Sequence, residues 1–199
     1  MNNDLLTQRD NGMRSPFTLA DDANTTHLGI GDLSFLTRFG VKGAGAAAWL
    51  SNQGIPIPEL PNSWCWLSQG GIVARLGRNE FLIEDSLDSN VAPRLAESCQ
   101  QPPAKVYPVL RQDLAIALYG TQINQLLLQT CSINFSALLL NQSPVILTSM
   151  VGVAVIVIPQ TEHYYRIWCD GTFGAYLWRT LLAIAQELGG GAVGAQRLV

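Results

Sequence analysis

Histidine and cysteine are scarce in this chain and stand far apart, which removes most metal and nucleophile chemistry at once. His27 and His163 are its two histidines, and Cys65, Cys99, Cys131 and Cys169 its four cysteines. No Cys-x-x-Cys pair occurs, so the spacing carries no metal-ligand signature. In a reducing compartment it predicts buried free thiols in place of a disulfide framework. Two isolated histidines also give no specific Ser, His and Asp or Cys and His grouping.

Charge is sparse too. Charged residues make up 14% of the chain, its formal net charge is −3, and no cluster of Lys or Arg is placed to neutralise several phosphates. Nucleic acid is therefore not an expected partner. The longest apolar run, Met150 to Ile158, is too short to span a bilayer, and Met1 to Thr26 lacks the apolar core of a secretory signal. No membrane partner is expected, and the expected localisation is cytoplasmic. Against these absences stands a hydrophobic content of 48% in 199 residues. A chain of this length should bury roughly 70% of its unfolded surface. The apolar excess calls for a large core or for apolar surface covered by a partner, and we read it as the second.

Two stretches echo each other. Arg38-Phe39-Gly40-Val41 leads through Gly43 into Ala44 to Asn52, and Ala115-Ile116-Ala117-Leu118 leads through Gly120 into Gln122 to Thr130. Each reads as strand, glycine turn and short helix. Two strand-like runs follow in each half, Gly71 to Leu76 with Glu80 to Glu84, and Val151 to Ile158 with Tyr164 to Cys169, and then a helix. The pattern β-α-β-β-α thus occurs twice and predicts a pseudo-duplicated α+β fold.

Residues 1–25 are polar and aperiodic and read as a flexible arm. Gln100-Gln101-Pro102-Pro103 reads as a connector between halves at about 26–99 and 104–194 of a single domain, 26–199. The proline-alternating stretch Gly54 to Asn62 should be extended, and Trp64 and Trp66 should share one side of a strand as packing or interface residues. Val151 to Ile158 reads as a strand covered on both faces near the sheet centre. In the last helix, Phe173, Tyr176, Leu177, Thr180, Leu181, Ile184, Ala185 and Leu188 form a stripe expected to pack on that strand. Asp170 or Thr172 can cap its start, and Gly189-Gly190-Gly191 stops it.

Gly43-Ala44-Gly45-Ala46-Ala47-Ala48 matches a G-x-G-x-x-A dinucleotide fingerprint, but its surroundings do not: the helix is short and a proline-rich segment follows where a parallel strand is required. A tight turn into a small-residue helix is the preferred reading. Glu84-Asp85 reads as strand-end charge and not as an acid and base pair. Glu162, beside His163 in a predicted hairpin, is a carboxylate at a loop tip that can receive a ligand's N–H groups.

Three segments together resemble the T-protein fold of glycine-cleavage aminomethyltransferases, their folate-binding relatives and the gamma subunit of heterotetrameric sarcosine oxidase. They are Gly31-Asp32-Leu33-Ser34 with Arg38 to Gly43; Gln112-Asp113-Leu114 with Leu118-Tyr119-Gly120; and Tyr165 to Asp170 running into Phe173 to Trp178. The Tyr176-Leu177-Trp178 entry to the last helix looks most like the gamma subunit. The resemblance implies paired ferredoxin-like α+β halves, alpha- and beta-type flavin and folate oxidase subunits as partners, and no catalytic residue in this chain. Aminomethyltransferases carry an acidic pair after a Gly-Gly-Ile turn; here the run is Gly70-Gly71-Ile72-Val73-Ala74-Arg75. Alanine cannot hold a proton and arginine has the wrong sign, so aminomethyl transfer by that mechanism is not expected. The resemblance also sets Glu162, in Gln160-Thr161-Glu162, against a folate-contacting glutamate, which leaves tetrahydrofolate as the candidate ligand. The alternative function is a free-standing tetrahydrofolate-binding, aminomethyltransferase-like protein.

Overall fold

The computed structural model describes residues 27–194; the arm expected at 1–25 lies outside them. The strands are β1 (Gly29–Asp32), β2 (Arg38–Lys42), β3 (Ser63–Trp66), β4 (Ile72–Arg75), β5 (Glu80–Glu84), β6 (Tyr107–Val109), β7 (Asp113–Tyr119), β8 (Ile146–Met150), β9 (Val153–Thr161), β10 (Tyr164–Asp170) and β11 (Gly191–Val193). The helices are α1 (Ala46–Asn52) between β2 and β3, α2 (Val91–Ser98) after β5, α3 (Ile123–Thr130) after β7 and α4 (Gly174–Glu187) after β10. The mixed α+β class expected from the sequence is the class observed.

The chain forms two compact units interleaved in sequence. Among the described residues, one takes 27–35, Asp113–Leu138 and 148–194; the other takes Leu36–Gln112 and Leu139–Leu147. The chain therefore changes unit at Phe35 and Gln112 and lends a short segment back at Leu139.

The Leu36–Gln112 unit is built on a five-stranded sheet in the order β3-β4-β5-β2-β6, with every pair antiparallel. Alternation along the strands sends Phe39, Val41, Val73, Phe81 and Ile83 to one face, where Trp49 and Leu50 of α1 and Val91, Ala92 and Leu95 of α2 cover them. Phe39 and Trp49 meet with ring centroids 5.9 Å apart.

The other unit has a six-stranded sheet in the order β11-β1-β7-β10-β9-β8. Read from the outer hairpin inward, its β8-β9-β10-β7 repeats the order β3-β4-β5-β2, and β1 stands beside β7 as β6 stands beside β2. Between its first helix and its central hairpin each half has a further strand: β3, which carries the expected Trp64 and Trp66, and β8, which was not expected. Strand β7 lies deeper in the sheet than β9, which is second from the edge and exposes Ala154; the expectation of a central, doubly covered Val151 to Ile158 strand is corrected.

The glycine turns that follow β2 and β7 coincide in detail. Gly43 has φ 118° and Gly120 φ 117°, a region in which side-chain-bearing residues are strained. Gly43 N–H donates to Asn79 O at 2.9 Å, and Gly120 N–H donates to His163 O at 3.0 Å. Two residues on, Gly45 N–H donates to Lys105 O at 3.0 Å, and Gln122 N–H to His27 O at 2.9 Å. Lys105 and His27 each stand two residues before the strand flanking β2 or β7. The sequence echo is thus an echo of backbone hydrogen bonds.

Helix α4 buries Gly174, Leu177, Trp178, Leu181 and Ala185 against β1 and β11 and beside α3. The expected stripe was rotated: Phe173 and Tyr176 are exposed, and Trp178 takes the buried position. Leu181 has no exposed surface. Leu181→Ala is expected to cost about 2–5 kcal/mol through lost burial and a residual cavity. Urea unfolding of the isolated chain checks this, and a loss below about 1 kcal/mol would contradict a core role.

Asp170 does start this segment. Its carboxylate accepts from Thr172 N–H at 2.8 Å and Thr172 O–H at 2.6 Å ahead of the short turn Gly171–Phe173. These two bonds hold its pKa below the ordinary carboxylate value. A depressed folded pKa means the stabilisation is complete above the unfolded value and is lost as pH falls through the folded one. Asp170→Ala should lower the melting temperature at neutral pH, and the gap to wild type should close as pH falls below the ordinary carboxylate range.

Candidate functional site

The Gly43 turn is closed as a phosphate cradle by the chain itself. A Cβ on Gly43 would lie 2.2 Å from Lys105 O, and one on Gly45 would lie 3.1 Å from Ala104 O. The small residues let segment 104–106 cross the turn, which is the packing use expected of them. Helix α1 has only seven residues.

In the Gly70 to Arg75 run, Gly70 (φ 80°) and Gly71 (φ 88°) turn the chain into β4. Ala74 has no exposed surface. Arg75 is committed structurally: Nη1 donates to Pro58 O at 3.1 Å and Glu59 O at 2.7 Å, and Nη2 donates to Arg78 O at 2.9 Å. Its guanidinium also lies 5.7 Å from the Phe81 ring centroid. Arg75 therefore fastens the proline-rich loop to the sheet.

Glu84 and Asp85 end β5, as expected, but they are buried and serve separate structural tasks. Arg38 Nη1 donates to Glu84 Oε2 at 2.9 Å, with the two side chains 2% and 1% exposed. The Asp85 carboxylate accepts from Thr37 O–H at 2.8 Å, Val91 N–H at 3.1 Å and Ala92 N–H at 3.0 Å, and from Ser89 O–H. It thus neutralises the first free amides of α2 from six residues upstream. The run Asp85-Ser86-Leu87-Asp88-Ser89-Asn90 before a helix with Pro93 in its first turn was a readable start signal; which side chain caps it was not.

Glu162 and His163 form the exposed tip of the β9–β10 hairpin. His163 N–H donates to Thr161 Oγ1 at 3.2 Å, and its carbonyl receives Gly120, so the tip is tied to the glycine turn. A register shift at Tyr164 and Tyr165 makes a bulge that sets Gln160 between paired residues. Tyr165 lies inward with its ring 5.8 Å from Phe135. Burial first, and then the Glu162 charge, raise its pKa. Arg166 lies 5.8 Å from the Tyr164 ring centroid. The tip offers a solvent-facing carboxylate able to accept N–H donors, with Tyr164 and Arg166 following it along the strand.

Trp64 and Trp66 share a face, as expected, with centroids 4.9 Å apart in an edge-on contact; Trp64 is buried and Trp66 exposed. Among the cysteines, Cys99 and Cys169 are buried, and Cys65 and Cys131 partly so; all four are free. Burial, reinforced by the Asp113 and Asp170 charges, pushes the Cys169 thiol up to about 12 and makes it a poor nucleophile. No group of three or more His, Cys, Asp or Glu side chains suited to a metal occurs among the described residues. No helix among them is long and apolar enough to cross a membrane.

No protein-family model and no curated protein matches the chain. Solved structures do. A chain of the heterotetrameric sarcosine oxidase from Corynebacterium sp. U-96, in complex with pyrrole 2-carboxylate, matches with TM-score 0.66 and 20% identity, over 83% of this chain and 87% of that one. The glycine cleavage system aminomethyltransferase T from Bartonella henselae matches with TM-score 0.62 and 16% identity, over 84% of this chain and 48% of that one. The chain thus spans about half the length of the aminomethyltransferase. At these identities the likeness is one of fold, and the fold is T-protein-like.

Proposed function

We propose that this chain is a noncatalytic, gamma-type subunit of a sarcosine-oxidase-like complex in one-carbon and folate metabolism, with alpha- and beta-type flavin and folate oxidase subunits as its partners. In this reading residues 26–199 make one T-protein-like domain of two halves. The observation that carries the proposal is the Gly70 to Arg75 run. Where the resemblance calls for an acidic pair, this chain has a solvent-inaccessible Ala74 and an Arg75 engaged with three carbonyls, so no proton-handling group stands there. The fold shared with a heterotetrameric oxidase chain supports a subunit role.

Purification of the tagged chain from its native host at low salt tests the proposal. The expected product contains flavin-absorbing oxidoreductase chains in fixed stoichiometry. Recovery of the chain alone would sink the reading. The exposed Glu162 supports the second reading, a free-standing tetrahydrofolate-binding protein, because a carboxylate at a hairpin tip can accept a pterin's N–H groups. Calorimetry separates the two: tetrahydrofolate heat from the isolated chain that vanishes in Glu162→Gln favours the second.

A further inference from the structure

The chain has two lysines, Lys42 and Lys105, far apart in sequence, and the fold brings both to the Gly43 turn. Lys42 immediately precedes Gly43, and Lys105 supplies the carbonyl that accepts from Gly45. Arg78 precedes Asn79, whose carbonyl accepts from Gly43. Three cations from three segments thus meet at one turn, and all three are exposed. Among the described residues they are also the Lys and Arg side chains left without a partner. Arg38 pairs with Glu84 and Arg111 with Glu80; Arg75 is held by carbonyls, Arg94 by Gln53 and Arg179 by Ala175 O, and Arg166 lies against the Tyr164 ring. Glu80 stands opposite Lys42 in the β2–β5 register, but Arg111 offsets its charge at 3.3 Å, so the turn stays positive in a chain of net charge −3. Like charges kept together repel, and the backbone does not require them. The Gly120 turn makes the same two bonds with Tyr119, Glu162 and His27 in the places of Lys42, Arg78 and Lys105.

We propose that this turn is a docking point for an acidic segment of a partner protein, an extended stretch carrying several carboxylates. A compact anion such as phosphate is characteristically held by free backbone amides at a turn, and here both are spent, Gly43 N–H on Asn79 O and Gly45 N–H on Lys105 O. Recognition falls to side chains on three separate segments, two of them flexible lysines, which suits carboxylates spaced along a chain. Single-stranded nucleic acid also carries spaced charges, but it is held on successive aromatic faces, whereas β6 offers the single exposed ring of Tyr107 opposite Lys42. The inference rests on the reading of this chain as a subunit, and it names the chemistry of the partner's contacting segment.

Fluorescence anisotropy of a labelled hexaglutamate peptide titrated with the full chain tests it. At about 20 mM salt the wild type should bind with a dissociation constant below about 100 µM, and about 0.5 M salt should weaken binding roughly tenfold or more. Lys42→Glu and Arg78→Glu should each weaken it roughly fivefold or more, and Lys42→Glu combined with Lys105→Glu should abolish it. The variants lie on different segments, so misfolding of one leaves another to decide, and circular dichroism checks each. Arg179→Glu makes the same change of net charge on α4, in the other unit, and should leave binding unchanged. A wild type that binds no peptide at low salt overturns the proposal, as does an Arg179→Glu variant weakened as much as the turn variants. Displacement of the peptide by inorganic phosphate at equal charge, or tighter binding of a hexathymidylate, overturns it as well, by assigning the turn to a compact anion or to nucleic acid. The peptide result judges the turn and co-purification judges the subunit reading, so either can fail alone.

Discussion

Asp85→Ala is expected to remove about 3–5 kcal/mol of folding stability, a large share of the 5–15 kcal/mol typical of a folded chain. The side chain is 1% exposed and receives hydrogen bonds from Thr37, Ser89, Val91 and Ala92. Truncation leaves four donors facing a space with no acceptor, and each buried unmet donor costs roughly 1–3 kcal/mol before neighbours relax. The first turn of α2 also loses the negative charge that balances its free amides. Leu95, fully buried one turn along the helix, would be loosened from the core with it. Asp85→Asn is the informative companion: it keeps the volume but points an amide at other donors, so it should recover only part of the loss. Guanidinium unfolding measures both. Equal stability of wild type and Asp85→Ala would refute this role.

The elements visible in the sequence are those whose local pattern and tertiary use agree. Glu80 to Glu84 reads as a strand with Phe81 and Ile83 inward, and the fold uses it so. Strands β1, β6 and β11 were not legible, since Gly29-Ile30-Gly31-Asp32, Tyr107-Pro108-Val109 and Gly191-Ala192-Val193 are poor in β-formers or contain proline. Neighbouring strands impose their extended form: β1 is held between β11 and β7, and β6 pairs with β2 at an edge. In α4 the apolar residues outnumber one face, so spacing alone admitted two stripes. Packing against β1 and β11 chose the one containing Trp178 and left Phe173 and Tyr176 outside.

The candidate site divides along the same line. Rejection of a nucleotide at Gly43 rested on local context and agrees with segment 104–106 crossing the turn. The tasks of Glu84 and Asp85 depend on Arg38, Thr37 and α2, up to 48 residues away in sequence for the Thr37 bond, and periodicity carries no such information. Glu162 was placed at a hairpin tip by its flanking strands, and it stands there.

Gly43→Ala and Gly120→Ala should each cost about 2–6 kcal/mol, and by similar amounts. Two terms add: roughly 1–3 kcal/mol for a side chain held at strongly positive φ and roughly 1–3 kcal/mol for overlap that the surroundings must absorb. Both terms recur at both sites, with φ 118° and 117°, and with a new Cβ 2.2 Å from Lys105 O or 2.3 Å from His27 O. The colliding oxygen is itself the acceptor for Gly45 or Gln122, so it cannot retreat without breaking the bond that ties the flanking segment to the turn. Gly54→Ala separates the terms, because Gly54 has φ 77° but no atom within 4 Å of the added carbon. It should lose only the conformational part, about 1 kcal/mol. Urea midpoints of the three variants check the prediction. If Gly43→Ala and Gly120→Ala fall no further than Gly54→Ala, the close crossing is not what fixes these turns. If one falls and the other does not, the likeness of the two halves ends at the backbone trace and does not extend to how each turn is held.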